Sequence, residues 1–285
     1  MHSGYEGLQR MNLGKQIRLR RIWRHERAVI IPYDHGVYSG PQHGINDPRA
    51  LTERIAHTGA DAVLVTPGTL QNIAPALGEL GVVLRLDGGF TKYVSSSADY
   101  RTICPVPHAV RLGADAGIVF TFIGTPQEGQ SLERLGITST EAETWGLPLV
   151  AETLAPGILN NHFGSTVFGS RGKKDDIFEE TLNVCRIAAE TGADIIKTRY
   201  TGDVEQFREV VRTCGARIIV AGGPKTDGSD ERLLQLTYDC MKAGAAGIIF
   251  GRNVWQHRRM EKLIGAMCAI VHGDETVTQA LKLLR

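Results

Sequence analysis

The chain has 285 residues, of which 42% are hydrophobic and 22% charged, with a formal net charge of +1. This is the balance of an ordinary soluble globular protein, and the near-zero charge argues against general attraction to nucleic acid or to a membrane surface. No apolar run is long enough to span a bilayer and the first ten residues lack the apolar core of a signal peptide, so cytoplasm is the expected location.

Residues 1–11 read as a loose tail ahead of one domain, 12–285. The stretch "LGKQIRLRRIW" predicts a helix from Leu13 to Trp23 that covers one end of that domain with Leu13, Ile17 and Trp23. "AVIIPYDHG", from Ala28, then predicts a strand ending in Asp34-His35-Gly36. Four later segments repeat one pattern: "TGADAVLV" from Thr58, "LGADAGIV" from Leu112, "TGADIIKT" from Thr191 and "AGAAGIIF" from Ala243. In each, a glycine follows a helical stretch, where positive φ costs it little, and a β-rich run comes next. The glycines are Gly59, Gly113, Gly192 and Gly244, spaced 54, 79 and 52 residues apart. One strand–helix unit takes roughly 30 residues, so each interval holds a further strand, and "VVLRLDGG", "LPLVAETL" and "RIIVAGG" supply them. Eight strands alternating with helical patterns in a domain of this length predict an α/β fold, a single closed (β/α)8 barrel of parallel strands.

After the fifth strand, "GILNNHFGSTVFGSRGKKDD" from Gly157 to Asp176 is a long Gly/Asn/Ser-rich loop, either a lid on the C-terminal face or an insertion. The five cysteines are odd in number and form no CxxC pair, which fits buried thiols in a reducing compartment. Nine histidines show no HExxH or comparable metal-binding spacing.

Barrel enzymes build their sites where strands end and the following loops begin. The first strand ends in Asp34, His35 and Gly36, and the fifth carries Glu152. The sixth ends in Lys197, the seventh in Gly222-Gly223-Pro224-Lys225 and the eighth in Gly251-Arg252. Glycines at the last two strand ends leave backbone N–H groups uncovered, and a helix N-terminus beside them adds positive potential, which together predict a phosphate site. Lys197 shares a strand face with Ile195. If that face is the interior, burial and the nearby cations Arg199, Lys225 and Arg252 favour a neutral amine able to attack a ketone. The alternative is an ordinary strand-end or ion-pair lysine. Asp34 is the natural proton handler or, equally, a helix cap or a partner for Lys197.

"PYDHGVYSGP", "DIIKTRYTGD", "VAGGPKT" and "GRNVWQH" resemble the archaeal-type class I fructose-bisphosphate aldolases. They equally resemble their DeoC/FbaB/LacD-type relatives, among them 2-amino-3,7-dideoxy-D-threo-hept-6-ulosonate synthase and the thiolase of autoinducer-2 phosphate breakdown. The resemblance runs from about Leu13 to the C-terminus and is densest from Gly192 to His257. It implies Lys197 as the Schiff-base lysine and Asp34 as an acid/base. Gly222, Gly223, Gly251 and Arg252 would be phosphate ligands, and His35, Gly36 and Lys225 join them as substrate- or phosphate-binding candidates. It further implies a phosphorylated keto sugar such as dihydroxyacetone phosphate as substrate, no metal or other cofactor, and a homo-oligomer of up to ten copies.

One departure stands out. The aldolases and the heptulosonate synthases carry Tyr-Pro-Arg-Gly after the fifth strand, with the tyrosine as acid/base. This chain reads Leu154-Ala155-Pro156-Gly157, and leucine transfers no proton. Glu152, two residues earlier on the same face, is the expected substitute, as a buried carboxyl with a raised pKa. The alternative for Glu152 is an ion pair with Lys197 or an arginine. The expected activity is a class I aldolase. Heptulosonate-synthase-like condensation with aspartate semialdehyde, acyl transfer to coenzyme A and a non-catalytic sugar-phosphate sensor are the alternatives.

Overall fold

The computed structural model describes residues 11–93, 100–155, 177–223 and 229–285. The expected tail up to residue 10, the loop 157–176 and Lys225 lie outside the described residues. The eight expected strands are all present: β1 (Ala28–Pro32), β2 (Ala62–Val65), β3 (Gly81–Arg85), β4 (Ala116–Phe122), β5 (Leu149–Leu154), β6 (Ile195–Arg199), β7 (Arg217–Ala221) and β8 (Gly247–Ile249). They close into one barrel, each parallel to its neighbours, with β1 pairing both β2 and β8. Helices between the strands pack against the outside, as parallel strands need crossovers. No helix among the described residues is long and apolar enough to cross a membrane.

The four repeated glycines have φ between +83° and +107°, the left-handed turn that ends a helix before a strand. The aspartate that follows three of them has a purpose the repeat alone did not reveal. Asp61 accepts a hydrogen bond from the Val29 backbone N–H at 2.7 Å, Asp115 from Val82 at 2.9 Å and Asp194 from Leu149 at 2.8 Å. Each bond ties the foot of an odd strand to the entry of the next even one. In the fourth repeat Ala246 takes the aspartate's place. Its carbonyl instead accepts the Trp23 indole N–H at 2.9 Å.

The helix Leu13–Ile22 caps the lower mouth, with Trp23 buried as expected but Leu13 and Ile17 turned away from it. Leu13 and Ile17 are 68% and 54% exposed, whereas Leu19, Ile22 and Trp23 pack under the interior residues Ile30, Leu64 and Ile195. Lys15 turns the helix: it is buried and pairs with Glu143 at 2.7 Å and Asp194 at 2.9 Å. With Lys15 drawn in, the Leu13–Ile17 stripe faces outward. A two-stranded antiparallel ladder, Asp87–Gly88 with Arg101–Thr102, follows β3 and was not expected. All five cysteines are free, and four are buried.

Candidate active site

Strand register assembles the site. Phe120 of β4 pairs with Glu152 of β5, and Glu152 with Lys197 of β6, so three neighbouring side chains stand in one layer. Ile195 belongs to the interior cluster, and the two-residue alternation therefore points Lys197 inward as well. The lysine is 7% exposed. Its Nζ lies 2.6 Å from Glu152 Oε1.

The other carboxylate oxygen, Glu152 Oε2, accepts from Arg85 Nη2 at 2.6 Å. Arg85 ends β3, is 1% exposed and lies over the Phe120 ring at 3.9 Å. Its Nε donates to Asp34 Oδ2 at 2.9 Å, and its Nη1 reaches Asp87 Oδ1 at 3.4 Å. Arg134 stands behind, with Nε 3.4 Å from Asp87 Oδ2 and donations to the Tyr100 and Phe120 carbonyls at 2.7 Å. The result is a continuous buried chain from Lys197 through Glu152 and Arg85 to Asp34 on one side and Asp87 on the other.

The charges in this chain decide how its members titrate. Burial pushes the Glu152 carboxyl up, but Lys197 and then Arg85 override it and hold the group down at about 2. The expected raised pKa is thus reversed, because two cations that the sequence could not locate sit on its two oxygens. Glu152 is a carboxylate and accepts protons; it has none to give. Both roles weighed for it, pairing with Lys197 and pairing with an arginine, occur at once. Burial raises Asp87 to about 6 despite Arg85 and Arg134. Burial lowers His35 to about 4, against the pull of Asp34. His35 is therefore a neutral imidazole at pH 7. It sits 3.5 Å from Asp34 and edge-on to Trp255.

A cleft, open to solvent at its mouth, is lined by Asp34, His35, Tyr38, Glu152 and Lys197 together with Gly222, Gly223, Gly251 and Arg252. The glycines make room here. A Cβ on Gly222 would meet the Phe250 ring at 2.9 Å, and one on Gly251 would meet the Pro32 carbonyl and His35 at 3.0 Å. Gly36 is exposed and starts a short helix, Gly36–Ser39, outside the cleft wall. The helix after Gly251 is a single turn, Arg252–Trp255. Positive potential beside Gly251 therefore comes from Arg252 itself rather than from a helix dipole, which needs aligned turns to accumulate. Leu154 is buried in the core and is absent from the cleft wall.

A family model described as DeoC/LacD family aldolase matches residues 28–257. The chain belongs to the DeoC/LacD aldolase family. It is 34% identical to 2-amino-3,7-dideoxy-D-threo-hept-6-ulosonate synthase of Halobacterium salinarum, over 94% of this chain and 95% of that one. It is 32% identical to an uncharacterized aldolase of Saccharolobus solfataricus, over 96% of this chain and 100% of that one. A solved archaeal fructose 1,6-bisphosphate aldolase superposes with a TM-score of 0.79 at 30% identity, over 92% of this chain and 100% of that one. Another, with a TM-score of 0.78 at 29% identity and the same coverage, has its catalytic lysine covalently bound to the carbinolamine intermediate of the substrate.

As a class I aldolase of this family, the protein carries two buried charged groups beyond those expected from the strand ends, Arg85 and Asp87. Arg85 lies in "VVLRLDGG", a charge at the end of an apolar run, the same anomaly that singled out Lys197. Asp87, two residues on, was equally visible.

Proposed function

We propose that this aldolase acts on a phosphorylated keto sugar, with Lys197 as the residue that becomes covalently attached. The single observation that supports it is a buried amine, 2.6 Å from a carboxylate, in a cleft whose wall also offers glycine backbone and Arg252. To attack, the ammonium must first lose a proton, and Glu152 is in contact to take it. The free amine adds to the ketone carbon, and the carbonyl oxygen becomes the carbinolamine hydroxyl. Asp34, held by Arg85 beside the cleft, relays a proton from the added nitrogen to that oxygen, and the proton that Glu152 took passes to the hydroxyl, which leaves as water and generates the iminium. Loss of a neighbouring proton, or cleavage of the neighbouring C–C bond, places the electron pair in an enamine. Addition of the enamine to an aldehyde runs the bond-making direction, and water then releases the product and restores Lys197. The phosphate of the keto sugar lies against Gly222, Gly223, Gly251 and Arg252. A homo-oligomer is part of this reading and is checked by sedimentation.

Borohydride reduction tests it. Protein incubated with dihydroxyacetone phosphate and reduced should gain the mass of one substrate less one oxygen, and Lys197→Ala should gain nothing. An unchanged adduct in Lys197→Ala refutes the assignment.

A second reading for the acceptor comes from a relative, since the aldolases and the heptulosonate synthases both carry the tyrosine that Leu154 replaces. A heptulosonate-type condensation with aspartate semialdehyde agrees with the 34% identical relative of that name. Supplying trapped enzyme with aspartate semialdehyde, glyceraldehyde 3-phosphate or coenzyme A, and identifying which is consumed, separates that condensation from the plain aldol reaction and from acyl transfer.

A further inference from the structure

Arg199 closes β6, two residues beyond Lys197 and on the same face by strand alternation. Its Nη1 is buried without a hydrogen-bond partner, and no carboxylate among the described residues pairs with it. Arg252 is in a similar position: its Nη2 makes a long contact of 3.4 Å to the Gly223 carbonyl, and it too has no carboxylate partner among the described residues. Gly223 touches both guanidiniums. Its φ is +74°, and a Cβ there would run into Arg199.

Two like charges gathered on one glycine repel, and a buried N–H without an acceptor costs free energy. Burial first, and then Arg252, lower the Arg199 guanidinium from its ordinary range. Arg199 and Arg252 are half-buried, and the fully buried cations are treated differently. Lys15, Arg85, Arg134 and Lys197 each sit on one or more carboxylates. Among the described residues this corner holds no counter-charge, and that is the place an anionic ligand would take. A carboxylate built into the protein would have filled the place that the ligand needs.

We propose that Arg199 is a ligand for the substrate's phosphate, acting with Arg252 and the Gly222–Gly223 backbone, and that this pair of guanidiniums selects a dianionic phosphate ester over a carboxylate or an uncharged sugar. The assignment rests on the phosphate reading given above and adds to it. Arg199 is not part of the cleft wall, but its guanidinium lies against Gly223, which is, so the same strand carries the reactive amine and the anion clamp, about 6.6 Å apart along its backbone. One strand then sets the spacing between the reacting carbonyl and the phosphate, which suits a ketone whose phosphate is only a few bonds away.

Arg199→Met and Arg199→Lys, made in the full chain, test this by thermal unfolding with and without inorganic phosphate and by borohydride trapping over a range of dihydroxyacetone phosphate. In phosphate-free buffer Arg199→Met should melt no lower than the parent, since it removes an unpartnered cation. The rise in Tm that phosphate gives the parent should fall by at least half. The half-saturating substrate concentration for trapping should rise at least tenfold, with the saturated trapping rate within threefold, and Arg199→Lys should restore part of both. A full phosphate-induced rise in Arg199→Met overturns the proposal. So does a lower Tm without phosphate combined with an undiminished phosphate response, which marks a purely structural arginine. If Arg199→Met does not fold, Arg199→Lys decides alone: a phosphate response equal to the parent's overturns the assignment and a reduced one supports it. Arg252→Met separates the two layers. If it too keeps the full rise, the phosphate site itself is wrong; if it alone loses the rise, only the role of Arg199 is.

Discussion

Glu152→Gln keeps the shape of the side chain and removes the charge at the centre of the Lys197–Glu152–Arg85 chain. The native carboxyl is held at about 2 against an ordinary 4.5. At about 1.4 kcal/mol per pH unit, that depression is worth about 3 kcal/mol of stability. Removing one partner of a buried ion pair costs about 3–5 kcal/mol in general, so the two routes agree in order of magnitude. The folded-state pKa is depressed, so the contribution is complete above pH 4.5 and fades as pH falls toward 2. Urea denaturation should show Glu152→Gln about 3 kcal/mol less stable than the parent at pH 7, with the gap narrowing below pH 4.5. The amide also takes no proton from Lys197, and loss of a general base slows a reaction by about 10²- to 10⁴-fold. The rate of borohydride-trappable adduct formation with dihydroxyacetone phosphate at pH 7 should drop by that range. Trapping at the parental rate would remove Glu152 as proton acceptor. Parental stability at pH 7 would show that the buried pair is not held as described.

Two further outcomes follow from the same electrostatics and from the repeat. His35 is lowered from 6.5 to about 4 by burial, so its contribution is present above pH 6.5 and is lost as pH falls through 4. Asp87 is raised from 3.8 to about 6 by burial, and its contribution has the opposite sign, present below pH 3.8 and lost as pH rises through 6. The two offset one another between pH 4 and 6, and His35→Gln should unmask Asp87: the variant's urea midpoint rises more from pH 6.5 to pH 4.5 than the parent's does. Asp115→Ala leaves the Val82 N–H without its acceptor. It should cost about 1–3 kcal/mol, with backbone hydrogen exchange accelerated at β3 first; unchanged exchange there argues against the bond.

The barrel was readable because its punctuation is strong. A glycine in the left-handed turn, then a short β-rich run, recurs with a spacing that only strand–helix units fill. The strand ends followed directly, and Lys197, Asp34, Glu152, Gly222, Gly223, Gly251 and Arg252 do meet around one cleft. Alternation along a strand tells which residues look inward, but not which inward residues from different strands touch. Arg85 therefore went unassigned, and the titration of Glu152 was expected in the wrong direction. The helix Leu13–Ile22 was misread for a related reason. Apolar spacing favoured Leu13 and Ile17, and the buried Lys15 that rotates the helix finds its partners more than a hundred residues away. The single turn after Gly251 was likewise too short to be distinguished from a full helix by pattern alone.

The carboxylate clasps at the foot of the barrel occur in three of its four strand pairs. Where β7 meets β8 the backbone contact between Ala246 and Ile218 is kept, but the aspartate of the other three pairs is replaced by Ala246. That pair also carries, at its opposite end, the glycines expected to receive the anion. An occupied anion site would then brace the one quarter of the cylinder that lacks such a clasp, and ligand binding would register as slowed amide exchange along β7 and β8 well below the cleft itself.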